Sequence, residues 1–477
     1  MEAVRVCFFC IIEPSTRRPA ESCFILPSGI EKNRAARIKQ KLRMSTGEGK
    51  RRQGKMAKIY YSLYDRMLQK QRLLRAFDKV KSNAGAAGID GQSVNDFGLN
   101  LSAEIDHLLR ELKDKSYRPA PVRRVEIPKP DGSTRQLGIP TVRDRIVQQV
   151  LLDILQPLFD PDFHPSSYGY RPGRSAHQAI AKASLFIRRY RRRWVVDMDL
   201  SKCFDTLDHE LIIQSFRRRV TDGSLLGLIR LFLQSGVLTA GGWQESRLGS
   251  PQGGVISPLI ANVYLDAFDQ QMKNRGHRIV RYADDILILC GSKKGAQHAL
   301  AVARTILEGE LRLQVNEHKS RIVHSRIGVG YLGVIIESHT TRIRDEKVQQ
   351  FKDKVRRITR RNSPVNLEQV ISELNPVLRG YANYFRVANC RNQFRALACW
   401  IRRRLRAKQM ALWKKPQRLH RRLRQLGYEG EFKRIKMQSW RNAASALANA
   451  AMPNCWLEEL GLFDLGRVST GYLPQNY

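Results

Sequence analysis

Tyr282-Ala283-Asp284-Asp285 sets two adjacent carboxylates between two β-prone runs, Arg278-Ile279-Val280-Arg281 before and Ile286-Leu287-Ile288-Leu289-Cys290 after. The pattern predicts a β-hairpin with both acids at or near its turn. Carboxylates that close repel one another unless a cation lies between them. A hard ion with oxygen ligands, Mg²⁺ above all, is the natural partner. Further acids stand upstream in Trp194-Val195-Val196-Asp197-Met198-Asp199-Leu200, a second β-prone run ending in acids. Carboxylates from two strands converging on two Mg²⁺ ions are what nucleotidyl transfer requires: one ion activates the attacking 3′-hydroxyl and the other stabilises the leaving pyrophosphate. An Asp-Asp pair in a turn is also common in its own right, because Asp favours turns and is well solvated there.

Bringing those acids together takes a large scaffold, and 477 residues allow roughly two to four domains. Lys and Arg total 84 against 44 Asp and Glu, a formal charge of +40. Such an excess is self-repulsive without a polyanion, so nucleic acid is the leading partner and an acidic membrane surface the lesser one. No apolar run approaches the length of a spanning helix, which argues against the membrane. The eight cysteines are scattered, as suits a reducing cytosol. Cys7 and Cys10 form one CxxC without a second pair at zinc spacing and read as incidental.

Residues 1–55 lack a signal-peptide pattern and read as a poorly ordered basic leader, with Met44 and Met56 as alternative starts. Ala57 to Val80 has helical spacing. Val122 to Ile139 reads as two strands joined at Pro130-Asp131-Gly132-Ser133, and Arg143 to Leu158 as a helix. A Gly/Pro-rich loop from Ser166 to Gly173 leads to a basic helix through Arg193 and then to the acid-bearing strand. Gly249 to Gly254 is a tight turn entering an apolar helix, Ile256 to Phe268. The Asp-Asp hairpin, a helix from Ala296 to Leu311 and a strand pair, Arg321 to Val323 and Gly330 to Glu337, follow. This order predicts an α+β palm and not a doubly wound sheet. After Arg342 the chain becomes helical and strongly basic. Between Arg402 and Arg441 fifteen Lys and Arg stand against two acids, Glu429 and Glu431. With Trp400, Trp413, Tyr428 and Trp440 interleaved, that composition favours a nucleic-acid surface over a merely solvated face.

A series of segments, in order, resembles bacterial group II intron reverse transcriptases and maturases. They are Gly85 to Gly91; Ile127-Pro128-Lys129-Pro130-Asp131-Gly132 through Leu137-Gly138-Ile139-Pro140; Tyr168-Gly169-Tyr170-Arg171-Pro172-Gly173-Arg174-Ser175; Asp199 to Asp205; Pro251-Gln252-Gly253-Gly254-Val255-Ile256-Ser257-Pro258; Tyr282 to Asp285; and Tyr331-Leu332-Gly333. Leu374-Asn375-Pro376 and Arg379-Gly380-Tyr381-Ala382-Asn383-Tyr384-Phe385 resemble the family's maturase segment. The resemblance implies an α+β right-hand polymerase, with fingers and palm over 56–340, an all-helical thumb/maturase domain over 341–410 and a basic helical nucleic-acid-binding region over 411–477. Many members also carry a C-terminal His-Asn-His endonuclease with paired cysteines. Cys390, Cys399 and Cys455 do not form such pairs and no His cluster follows His420, so that domain is expected to be missing, which puts in doubt mobility that needs second-strand cutting.

The resemblance also implies roles. Asp199, Asp284 and Asp285 would hold two Mg²⁺ ions. Asp197 competes with Asp199, but the family has an aromatic five residues after its metal Asp, and Phe204 stands five after Asp199. Phe204 would exclude a ribose 2′-hydroxyl and so select deoxynucleoside triphosphates, although core packing is the commoner fate of a Phe. Lys129 and Arg135 would grip the triphosphate. Gln252 and Gly253 would lie against the nascent base pair, and Lys319 would donate a proton to pyrophosphate. Gly333 would let the backbone approach the primer end, unless it only relieves strand packing. Arg171, Arg402, Arg403, Arg404 and Arg406 are expected to contact nucleic acid. The implied function is an RNA-directed DNA polymerase of the bacterial cytoplasm. It would extend a DNA primer on an RNA template, bind its group II intron RNA, assist splicing, and support retrohoming into target DNA by target-primed reverse transcription, with no membrane partner. Competing readings are a domesticated relative in DNA repair or phage defence and a non-catalytic RNA-binding splicing factor; the intact carboxylate set speaks against the last.

Overall fold

The computed structural model describes residues 59–477 apart from 129–131, 133, 240–241, 245–247 and 251–252. The leader at 1–55, Lys129 and Gln252 therefore lie outside the described residues. In the fingers, helices α1 (Lys70–Ser82), α2 (Leu101–Lys113) and α3 (Val142–Phe159) accompany strands β1 (Val122–Pro128) and β2 (Thr134–Ile139). The two strands pair antiparallel from Arg123–Ile139 to Pro128–Thr134, as the turn signal between them predicts. Helix α1 does not begin at Ala57. A short 3₁₀ turn at Tyr64–Leu68 precedes it, and extended Gln69 separates the two.

Helix α4 (Ala176–Arg188) ends before Arg193, so Arg189 to Arg193 form a loop and not the last turn of a basic helix. Next come β3 (Trp194–Met198), β4 (Val237–Thr239), β5 (Gly242–Gln244), α5 (Ser257–Asn274), β6 (Arg278–Tyr282), β7 (Asp285–Cys290), α6 (Lys293–Arg304) and β8 (Arg321–His324). The palm sheet runs β6-β7-β3-β8 with every pairing antiparallel. β4 and β5 extend the finger sheet, in the order β2-β1-β4-β5. At three residues each, they are too short to show a period.

Runs such as Trp194-Val195-Val196 do not alternate apolar with polar because both faces of the palm sheet are covered. Val196, Met198, Ile286 and Ile288 face a core shared with the fingers. Val195, Val280, Leu287 and Leu289 face a second core shared with the thumb. The expected strand pair divides between two sheets: β8 joins β3, while β9 (Val329–Tyr331) and β10 (Val334–Ile336) form a separate sheet with β11 (Thr341–Ile343).

The thumb is α7 (Asp345–Ile358), α8 (Leu367–Phe385) and α9 (Arg391–Trp413), followed by α10 (Pro416–Gln425). Helix α9 crosses the boundary expected at residue 410 without a break. Leu397 and Ile401 belong to the thumb core. Ala407 and Met410, on the same helix, belong to a third core with Leu419, Leu423, Leu447 and Met452. Among the described residues no helix is long and apolar enough to cross a membrane.

Candidate active site

The acids meet at one end of the palm sheet. Met198 pairs with Ile286 and Asp197 with Leu287, so one further step of the same register sets Asp199 beside Asp285. On the other side Asp197 pairs with Arg321, and the continuing register sets Asp199 beside Lys319. Side chains directly opposed in an antiparallel pair share a face, so Asp197, Asp199 and Asp285 lie on one side of the sheet. Asp199 Oδ2 is 3.3 Å from Lys319 Nζ and accepts from Asn316 Nδ2 at 3.5 Å. Asp197 has its own guanidinium, with Arg321 Nε 3.6 Å from Oδ2. Solvent reaches Asp285. Crowding by protein, and then the charges of Asp284, Asp199 and Asp197, push its carboxyl up to about 7.

Asp284 sits in the two-residue loop between Tyr282 and Asp285, which pair across the hairpin. Ala283, the other loop residue, has φ 59°. A II′ hairpin prefers glycine there, and the left-handed backbone costs Ala about 1–2 kcal/mol. The surroundings hold it in place. Arg281 is fully buried, and its guanidinium donates to both Asp269 oxygens at 2.6–2.9 Å. It also donates to Asn262 Oδ1 and to the Ala283 carbonyl, each at 3.0 Å. Asn262 Nδ2 donates to the Gly169 carbonyl at 2.8 Å. Gly169 lies so close beneath the turn that a Cβ would overlap the Ala283 amide nitrogen. Sequence reasoning missed Arg281, Asp269, Asn262 and Gly169. The signals were an Arg on an otherwise apolar strand, and Asn262 and Asp269 seven apart on one face of a mostly apolar helix.

The donor set suits a divalent cation, since Asp199, Asp284 and Asp285 offer carboxylate oxygens and the neighbouring acids raise the proton affinity of Asp285. The carboxylates do not close into a preformed cage: among the described residues no three His, Cys, Asp or Glu side chains converge on one point. Mg²⁺ tolerates this, because one or two carboxylates and substrate phosphates commonly complete its shell.

A model of the reverse transcriptase (RNA-dependent DNA polymerase) matches residues 127–336, and one of the group II intron maturase-specific domain matches 348–427. Protein YkfC of Escherichia coli K12 is 35% identical over 318 residues, covering 56% of this chain and 84% of that protein. The chain belongs to the group II intron reverse transcriptase and maturase family. The group II intron-encoded protein LtrA of Lactococcus lactis is 27% identical over 450 residues, covering 73% of this chain and 74% of that one. A solved partial Cas6-RT-Cas1–Cas2 complex aligns at 23% identity and TM-score 0.34 over 52% of this chain and 43% of that chain.

The other residues expected from the reverse transcriptase resemblance divide. Arg135 lies on β2 opposite Ile127, beside the finger turn. Phe204 is buried, edge-on to Tyr170 with ring centres 6.5 Å apart, and Tyr170 in turn is 6.5 Å from Tyr282. It therefore packs in the core and still neighbours the acid-bearing turn. Gly253, at φ 117°, packs against β2, where a Cβ would overlap the Gly138 carbonyl oxygen. Gly333, at φ 81°, follows Leu332 at φ 47° in the two-residue loop joining β9 and β10. Two positive φ values in succession make a I′ turn, and that turn, more than crowding, asks for glycine.

The five arginines expected to contact nucleic acid all make contacts within the protein. Arg171 is buried, donates to Asp160 Oδ1 at 2.7 Å, and bonds the Asp160, His164 and Ser167 carbonyls at 2.6–3.0 Å. Arg402 reaches Asp464 at 3.3 Å. Arg403, although exposed, donates twice to the Trp440 carbonyl, at 2.9 and 3.1 Å. Arg404 donates to Thr359 Oγ1 at 2.6 Å and lies over the Trp440 ring at 4.8 Å. Burial, and then Arg356 and Arg361, hold its guanidinium down to about 10. Arg406 is buried and donates to the Met452 carbonyl and Asn454 Oδ1 at 2.9 and 2.8 Å. These side chains fasten the loop before α4 and the segments around α9. The basic run on α9 is largely an internal clamp.

Proposed function

We propose that this reverse transcriptase extends a DNA primer on an RNA template with Asp199, Asp284 and Asp285 as the oxygen donors for two Mg²⁺ ions. The observation that carries the reading is the meeting of the β3 end with the β6–β7 turn on one face of one sheet. Bound divalent ions supply the positive charge that favours 3′-hydroxyl ionisation and neutralises pyrophosphate oxygens. Arg281 holds the turn, so Asp284 and Asp285 are presented in place before substrate arrives. Lys319 lies against Asp199 with its side chain 63% exposed, which suits a proton donor to the leaving pyrophosphate. Arg135 and Lys129 would take the triphosphate, and Gln252 and Gly253 would flank the nascent pair. Phe204 would bound the sugar; a rise in ribonucleotide incorporation by Phe204→Ala measures that role, and loss of folding without a change in selectivity refutes it.

The maturase-specific segment supports the rest of the reading: binding of the group II intron RNA, help with its splicing, and retrohoming into target DNA. On this reading, residues up to about β10 form fingers and palm, and the thumb continues through α9. Asp284→Ala should cut primer extension about a thousand-fold or more, because several kcal/mol of transition-state charge stabilisation is lost. Splicing assistance, assayed on the intron RNA, should survive, since it uses binding surfaces. Near wild-type extension by the folded variant would remove the assignment.

A further inference from the structure

On α9, Arg402, Arg404 and Arg406 are engaged within the protein, yet the chain still carries +40. Much of that charge is presented elsewhere. At the end of the palm sheet opposite the acids, three loops come together. The α4–β3 loop brings Arg189, Arg191, Arg192 and Arg193; the β7–α6 junction brings Lys293 and Lys294; the β8–β9 loop brings Arg326. Trp194 pairs with Cys290 on one side and His324 on the other, which fixes these loops side by side. Arg192 lies across Gly291. The His324 imidazole is pushed down, first by burial and then by Arg326 and Arg193. Five residues of extended strand put this pole about 17 Å from Asp199.

The loop backbone is tied down while its charged ends are not. Arg192 N–H donates to the Phe186 carbonyl at 2.9 Å, Tyr190 N–H to Leu185 at 3.3 Å, and Ser325 N–H to the Arg193 carbonyl at 2.8 Å. Among the described residues none of these seven cationic side chains makes an ion pair or side-chain hydrogen bond. Glu337 stands at the rim but is already held by Arg342 and Thr340. Aromatic and apolar groups sit among the cations: Tyr190 is 56% exposed, Ile327 79%, and the Trp194 and His324 rings meet edge-on at 4.9 Å.

We propose that this pole is a second nucleic-acid surface, separate from the catalytic cleft, that docks folded RNA. Unpaired cations on anchored loops, beside one acid that is already held, fit a phosphodiester backbone, whose counterions are released on binding. Exposed rings fit the unpaired bases of RNA loops, which a DNA duplex does not offer. The proposal rests on the polymerase–maturase reading only for which RNA this is, the intron. On that reading primer and template occupy the acid-bearing end, which leaves the opposite pole open to a large folded RNA.

The test compares the full-length chain with Arg189→Gln/Arg191→Gln/Arg192→Gln, all exposed positions, and with Lys293→Gln/Lys294→Gln/Arg326→Gln on the other two loops. Salt titrations would measure binding to a long folded RNA with internal loops, to a DNA duplex of equal length, and to phosphatidylcholine vesicles containing phosphatidylserine. Each triple variant should lower the salt slope on the RNA by about 2–3, at about 0.7–0.9 for each phosphate no longer neutralised. Extension of a short hybrid confined to the cleft should be unchanged. An unaltered slope in both variants overturns the surface. An equal or larger loss on the DNA duplex overturns the preference for RNA, and a loss confined to vesicles assigns the pole to a membrane. If wild type neither extends primers nor assists splicing, the polymerase–maturase reading fails, whereas the slope difference still decides the surface.

Discussion

Two arginine clusters in this chain look alike as sequence and are built in opposite ways. Arg402 to Arg406 lies on a helix flanked by elements that offer acceptors: the Asp464 carboxylate, the Trp440 and Met452 carbonyls, the Thr359 hydroxyl and the Asn454 amide. Arg189 to Arg193 lies in a loop whose neighbours across the sheet end bring further cations. Local charge density is therefore a poor guide to a binding surface. What decides is whether the neighbouring elements, distant in sequence, bring acceptors or more positive charge. Arg171 and Arg281 repeat the first case, each consumed by acceptors from another element.

Three results would break or sharpen that contrast. The largest effect is expected for the most deeply enclosed guanidinium. Asp269→Ala leaves Arg281 charged, buried and unpaired, so unfolding free energy should fall by about 3–5 kcal/mol. Denaturant unfolding measures it, and a loss under about 1 kcal/mol would mean that water or another acid reaches Arg281. Next comes the α9 cluster. Arg402→Gln/Arg403→Gln/Arg404→Gln should lower stability by about 1–2 kcal/mol through unpaired acceptors. The smallest expected effect is on the same variant's RNA-binding salt slope, which should stay within about 0.5 of wild type, because few phosphates are given up there. A slope that dropped by about three with stability unchanged would show the α9 arginines facing RNA after all.

The sequence made the acid-bearing end of the palm sheet legible because its signals are local. Asp284 and Asp285 are adjacent, the flanking runs are strongly β-prone, and a two-residue loop admits few geometries. The α+β palm followed from the order of elements around them. The partners of each arginine were hidden, since Arg281 with Asp269 and Arg406 with Met452 join residues whose approach depends on packing. β4 and β5 were hidden by their length. The split of the expected strand pair was hidden because β8 and β9 are both short β-prone runs, and only their neighbours tell them apart.

Helix α9 is also a mechanical element. Its 23 residues make a rod about 35 Å long, with one end packed in the thumb and the other in the C-terminal core. The two cores therefore share a beam, and neither can swing without loading the other. A tilt of about 10° at the thumb end would carry the far end through about 6 Å, given that length. Any shift of the thumb end of α9 is thereby passed on to residues 416–452, and a ligand gripping that far end would hold both cores at once.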